Sequence, residues 1–166
     1  MNANAVQQDV TNVVFVGLGG QGVIRASDIL ADVMFTCGLD VKKAEVHGMS
    51  QRGGVVTSDV RFGRKVLSPM VPAREADYVI LLAPEAEPRC VSLLAPQGQI
   101  IGPDDVEVER LPHKRCLNVA LLGALSLRLV VSPREWELAI RRSFRPSLHE
   151  VNLTSFFLGR RTRRVA

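Results

Sequence analysis

Two glycine-bearing segments hold the groups in this sequence best suited to chemistry. The first, Gly17-Leu18-Gly19-Gly20-Gln21-Gly22, fits G-x-G-x-x-G; it follows an apolar run and opens a helical pattern. Glycines there permit positive φ and let a ligand reach the backbone with no Cβ in the way. The helix start offers unpaired N–H groups and a partial positive charge to an anion. The second, His47-Gly48-Met49-Ser50-Gln51-Arg52-Gly53-Gly54, has neither helical nor strand period. Arg52 can grip a phosphate or carboxylate through two parallel hydrogen bonds. Ser50 and Gln51 can hydrogen-bond neutral or anionic groups, and Gly53 and Gly54 admit a ligand or another backbone. His47 is the candidate for proton transfer, since imidazole titrates near neutrality; ordering its loop by hydrogen bonding is the plainer role.

Taken alone, the glycine turn points to a nicotinamide or flavin dinucleotide, with an acidic residue about 20 positions on to hold a ribose. Glu45 stands near that place. The same turn equally serves close strand–helix packing. Lys42-Lys43 and the segment after Glu45 depart from the second half of such a site.

The elements that must position these segments follow from hydropathy periods. Asn12-Val13-Val14-Phe15-Val16 reads as a buried strand ending at Gly17. Val23, Ile24, Ile29, Leu30, Val33 and Met34 fall on or near one helical face, with Gly38 as the stop. Residues 39–46 form a second strand. Residues 55–62 are extended, Gly63-Arg64 turns, and Lys65-Val66-Leu67 returns as the other arm of an antiparallel hairpin. Tyr78-Val79-Ile80-Leu81-Leu82 is the clearest buried strand, and Pro84 opens a helix through Val91. Pro96-Gln97-Gly98 reads as a turn before the short strand Gln99-Ile100-Ile101. Residues 118–131 are almost all apolar, which fits a helix buried deeply or at an interface. Ser132-Pro133-Arg134-Glu135 is a capping box opening the last long helix. The alternation gives an α/β class: a three-layer, Rossmann-like sandwich with a mixed, mostly parallel sheet and one antiparallel hairpin.

At 166 residues with no internal repeat, one domain spanning residues 1–166 is expected. Arg160, Arg161, Arg163 and Arg164 account for the whole net charge of +4, so the basic character belongs to a flexible tail, residues 159–166. With 5% aromatic residues and no basic face on the domain, nucleic-acid binding is not expected. No apolar run approaches the ~18 residues that span a bilayer, and the first residues lack a signal peptide's basic and apolar regions; a cytoplasmic protein without membrane contact is expected. Cys37, Cys90 and Cys116 are far apart, with no C-x-x-C pair, and an iron–sulfur cluster normally takes four cysteines. They read as small core residues in a reducing compartment. No histidine pair has metal-ligand spacing; His113 and His149 read as surface or core residues, and no metal is expected on the chain.

Val16-Gly17-Leu18-Gly19-Gly20-Gln21-Gly22-Val23 and Glu45-Val46-His47-Gly48-Met49-Ser50-Gln51-Arg52-Gly53-Gly54, continuing to Ser58-Asp59-Val60-Arg61-Phe62-Gly63, closely resemble the beta subunits of indolepyruvate ferredoxin oxidoreductases. Those are similar to the gamma domain of pyruvate and other 2-oxoacid:ferredoxin oxidoreductases. The glycine turn contributes little specificity; the His-Gly-Met-Ser-Gln-Arg-Gly-Gly run contributes most. The resemblance runs on through Tyr78 to Leu82, Pro84, Asn118 and Leu122-Gly123-Ala124-Leu125, and fades at about Val131, short of the arginine tail.

The resemblance implies a reaction shared among subunits. A 2-oxoacid is decarboxylated on thiamine diphosphate, electrons leave through 4Fe-4S clusters to ferredoxin, and the acyl group passes to coenzyme A as co-substrate. Thiamine diphosphate, Mg2+ and the clusters are expected in a large alpha subunit, none of them on this chain. The chain has no Gly-Asp-Gly thiamine signature and is expected to be inactive alone. The two glycine segments would lie side by side at the strands' C-terminal edge, where α/β sheets usually bind ligands. There Gly17, Gly19, Gly20, Gln21, Gly22, Met49, Ser50, Gln51, Arg52, Gly53 and Gly54 would wall the partner's active site and receive coenzyme A. The rival reading makes the second segment a docking surface whose glycines allow close packing. Arg61 matches a basic position of the wider family and is either on the ligand face or paired with Asp59 or another carboxylate. Asp59 stands where pyruvate-branch relatives carry histidine, a departure that weakens transfer of pyruvate-type roles. Two further readings stand open: a stand-alone dinucleotide-binding oxidoreductase and a purely structural docking subunit.

Overall fold

The computed structural model describes residues 10–47 and 54–161. Alternation along Val10–Leu18 (β1) turns Val13 and Phe15 to one face and Val14 and Val16 to the other, all essentially buried. A strand apolar on both faces belongs inside a sheet, and β1 is central. The others are Asp40–His47 (β2), Val55–Gly63 (β3), Ala76–Leu81 (β4) and Leu94–Ile101 (β5), in the order β2-β3-β1-β4-β5. β1 pairs parallel with β4, and β4 with β5. β3 runs antiparallel between β1 and β2, so it alone opposes the common direction. The sheet is mixed and mostly parallel by strand direction, as the sequence suggests.

The antiparallel hairpin has different arms from those expected. β3 pairs with β2 across the connection from His47 to Val55, and Lys65-Val66-Leu67 forms no strand. Polar side chains hold that stretch instead. Asp40 Oδ2 accepts from Val66 N (2.7 Å), and Arg61 Nη1 donates to the carbonyls of Ser68 (3.1 Å) and Met70 (3.0 Å). Pro96-Gln97-Gly98 is likewise no turn but part of β5, within an irregular stretch of the β4–β5 register.

Val23–Thr36 (α1) buries Val23, Ala26, Ile29, Leu30, Val33 and Met34 against the sheet. Gly38 ends it at φ 83, with Gly38 N bonding Phe35 O (2.9 Å) and Leu39 N bonding Met34 O (3.2 Å). That is the Schellman arrangement expected of a C-terminal glycine. Glu87–Leu93 (α2) follows a 3-10 turn, Pro84–Ala86. Leu117–Ser126 (α3) is buried from Asn118 through Ser126, as its all-apolar pattern requires. Pro133–Ser143 (α4) starts with proline in its first turn, but Ser132 makes no side-chain cap, so the expected capping box is absent. His149–Gly159 (α5) is a further helix that sequence reading misses.

The layers are unequal. α1 and α3 pack on one face, with α4 against α1 and α5 against α3. The other face, built on Val14, Val16, Val79 and Leu81, is covered by α2 and by Val71 of the irregular segment 64–75. No helix among the described residues is long and apolar enough to cross a membrane. α5 extends through Gly159, and Arg160 caps it while donating to Ser126 Oγ (2.6 Å). Residues 162–166 of the tail expected over residues 159–166 lie outside the described ones.

Candidate functional site

The carboxyl ends of β1, β2, β4 and β5 share one edge of the sheet, and β3 begins there. The turn after β1 and the segment before β3 therefore become neighbours. Gly19 N donates to Gly54 O at 3.2 Å, joining the two glycine segments directly. Met49, Ser50, Gln51, Arg52 and Gly53 lie outside the described residues; His47 closes β2 opposite Val56.

The glycines of the turn have different duties. A Cβ on Gly17 would meet Gln21 Oε1 and Val23 Cγ2 at 2.9 Å and Leu82 Cβ at 3.0 Å, so Gly17 is required by packing. Gln21 Oε1 accepts from Leu18 N (2.8 Å) and so fixes the turn. Gly22, at φ 82, caps α1 and has Asn118 where its Cβ would be, at 2.4 Å from Nδ2. Asn118 Nδ2 donates to Gly22 O (3.2 Å), tying the start of α3 to the start of α1. Gly19 and Gly20 are exposed, and a Cβ on either would have nothing within 4 Å. These two are the glycines that leave the backbone open to a visitor.

Clefts lie on either side of the turn. One, of about 360 Å³, runs between the turn and Val56 of β3. The other, of about 250 Å³, is lined by Gly20, Gln21, Gly22, Leu82, Lys114, Arg115 and Leu117. Lys114 and Arg115, in the 3-10 turn Lys114–Cys116 that leads into α3, are site residues that sequence reasoning misses. Nothing in a lone Lys-Arg pair shows that a later loop returns to the glycine turn. The one hint is Asn118, which links the two. His113 Nδ1 accepts from Arg115 N (3.0 Å), and His149 Nε2 lies 2.8 Å from Phe144 O. Both are local structural contacts.

Arg61 is not part of this edge. β3 is antiparallel to β1, so Arg61 lies opposite Asn12 at the far end of the sheet. There its Nε donates to Asn12 Oδ1 (2.8 Å), and its other bonds secure residues 68 and 70. Asp59 nearby accepts from Val71 N (2.8 Å). Burial raises its carboxyl above the ordinary range, against the opposing pulls of that bond and the Arg61 charge. The two form a clamp on the irregular segment.

Glu45 sits on β2, separated from β1 by β3 and bonded by Lys43. A ribose-binding acid belongs on the strand beside β1, and an inserted strand moves Glu45 about 5 Å further off per strand spacing. This counts against the dinucleotide reading. Cys90 and Cys116 are buried as expected, but Cys37 is exposed at the C-cap of α1. Burial pushes the Cys90 thiol up to about 11, which keeps it unreactive. Among the described residues, no three His, Cys, Asp or Glu side chains converge as a metal site.

Residues 12–162 match the family model described as pyruvate ferredoxin/flavodoxin oxidoreductase. The chain is similar to indolepyruvate oxidoreductase subunit IorB of Thermococcus kodakarensis, 30% identical over 89% of this chain and 93% of that one. The subunit of the same name from Archaeoglobus fulgidus is 48% identical over a shorter stretch, 44% of this chain and 36% of its own length. In fold it is similar to pyruvate oxidoreductase subunit PORC of Thermotoga maritima, with TM-score 0.75, 19% identity, and coverage of 93% of this chain and 97% of that one. It also superposes on 2-oxoglutarate:ferredoxin oxidoreductase of Magnetococcus marinus, solved with 2-oxoglutarate, coenzyme A and succinyl-CoA bound. There the TM-score is 0.78 at 19% identity, covering 93% of this chain and 31% of the larger one.

Proposed function

Because the chain belongs to the pyruvate ferredoxin/flavodoxin oxidoreductase family, we propose that it is the small subunit of a 2-oxoacid:ferredoxin oxidoreductase of the indolepyruvate type, active only beside a large subunit. Thiamine diphosphate, Mg2+ and 4Fe-4S clusters belong to that partner, where they supply decarboxylation and electron transfer to ferredoxin in the cytoplasm. The substrate is an arylpyruvate-type 2-oxoacid, and its acyl group leaves on coenzyme A. This chain's part is to wall the partner's site with the edge formed by Gly19, Gly20 and the segment from His47 to Gly54, and to receive the coenzyme A end there.

The Gly19 N–H to Gly54 carbonyl bond carries the reading, since it joins the glycine turn to the end of the second glycine segment at one open edge. Coenzyme A bound in the Magnetococcus marinus enzyme is consistent with it. Arg52 supplies the charge that would meet phosphate or carboxylate. The test is Arg52→Ala in the complex copurified with its large partner. The expected result is a several-fold rise in the coenzyme A concentration needed for half-maximal rate, with the complex intact. Loss of assembly would instead make the segment a docking surface. Substrate oxidation by the isolated chain would remove the subunit reading altogether.

A further inference from the structure

We propose that the outward face of α5 is a contact between two copies of this chain, related by a two-fold axis, with the two helices antiparallel. The first observation is an inversion of polarity along α5. Asn152 and Ser155 are buried, their side chains bonded to carbonyls of the helix and the turn before it. Phe157, by contrast, stands 38% exposed, with Leu153 and Leu158 half-buried near it. These three apolar side chains line a groove of about 640 Å³ that follows the helix from His149 to Arg161 and is edged by Arg141 and Pro146. A helix that is apolar on more than one side is normally covered on each, and this side lies open.

The charges of the groove identify a second copy as its occupant. Glu150, Thr154, Phe157 and Arg161 follow one another at i, i+4, i+7 and i+11, which is one stripe along a helix. Arg161 lies just past the helix end, but its N–H bonds Leu158 O (3.0 Å) and continues the turn. Leu153 flanks the stripe on one side and Leu158 on the other. The stripe is therefore acidic at its start, largely apolar in its middle and basic at its end. Turned end for end, it is its own complement. About a midpoint between Ser155 and Phe156, Glu150 meets Arg161 of the second copy, Leu153 meets Leu158, and Thr154 meets Phe157, each of them twice. Such reciprocity is what a two-fold interface requires. Parallel helices would instead bring like charges together. Glu150 and Arg161 are exposed and form no ion pair among the described residues, so both are free to make this one. Arg141, on α4, borders the groove but stands off the stripe.

A contact through one helix face sits at the low end of specific interfaces, so the test is sedimentation equilibrium of the full chain over a dilution series. The parent should dimerise reversibly. Glu150→Arg and Arg161→Glu should each raise the dissociation constant about tenfold, because each turns two attractions into two repulsions. The double variant should return to within about threefold of the parent, since the charges are exchanged rather than lost. Phe157→Ser, in the middle of the stripe and away from both helix ends, should leave monomers with unchanged helical circular dichroism. It separates loss of the contact from weakening of the helix. A parent that stays monomeric, single exchanges without effect, or a double variant no better than the singles would each overturn the proposal. So would release of the large partner from the copurified complex by Phe157→Ser, which would give the groove to that subunit. None of these measurements involves coenzyme A, so their outcome is independent of the reading above.

Discussion

Gly22 and Gly19 stand in the same short motif and obey different constraints. At Gly22 both the φ of 82 and the Asn118 amide exclude a side chain. Gly22→Ala should destabilise the chain by about 2 kcal/mol, combining the left-handed penalty with a lost hydrogen bond. Gly19→Ala meets open space and should cost less than about 1 kcal/mol. Urea denaturation of the two variants separates them, and equal losses would contradict the division of roles. The same contrast limits what a glycine motif reveals. The sequence marks where glycines are, whereas only the approach of Asn118 and Leu82 shows which ones serve packing. Arg61 teaches the converse. Its type suggests a ligand contact, but strand direction carries it to the opposite end of the sheet, where three acceptors on Asn12, Ser68 and Met70 consume it.

At the scale of elements, α3 and α5 show how closely two helices can approach. A Cβ on Gly159 would fall 1.8 Å from Ala120 O, and one on Gly123 would fall 2.0 Å from Phe156 O. Both obstacles are backbone, which cannot swing aside. Gly159→Ala should therefore cost about 3 kcal/mol, near the upper range of overpacking, read as a lowered denaturation midpoint. A midpoint within about 0.5 kcal/mol of the parent would show that the helices can part without penalty. α3 is legible in the sequence because nearly every position is apolar. α5 is not, because His149, Asn152, Thr154 and Ser155 dilute its period. Its buried polar residues are satisfied within the helix: Asn152 Nδ2 reaches Leu148 O (2.8 Å) and Ser155 Oγ reaches Val151 O (2.7 Å). Such local bonds let polar residues face inward, which no hydropathy period reports. The misplaced hairpin has a similar origin. Gly63-Arg64 has turn chemistry, but the chain after it is captured by the side chains of Asp40, 26 residues before Val66, and of Arg61.

At the scale of the molecule, helices crowd one face of the sheet while the other is sparsely roofed. Strand count and alternation foretell the α/β class and the mostly parallel sheet. They cannot foretell that β3 enters between β1 and β2, since an antiparallel insertion depends on long-range pairing rather than on local pattern. Nor can they show that residues 114–117 return beside the glycine turn. That proximity follows from α3 docking on α1, a tertiary event.

β1 joins an antiparallel neighbour on one side to a parallel one on the other, which makes the middle of the sheet a natural seam. The chain crosses that seam once before β4, through the exposed turn Pro72-Ala73-Arg74, where Arg74 holds a φ of 63 that suits glycine better. Severed at that turn, the amino-terminal piece would keep β2, β3 and β1 hydrogen-bonded together. The carboxy-terminal piece would keep β4, β5 and three of the larger helices. Co-expressed halves should then recombine along the β1–β4 ladder, visible as comigration on a sizing column with restored helical circular dichroism. Halves that stay apart would show the two sides of the sheet to be a single indivisible folding unit.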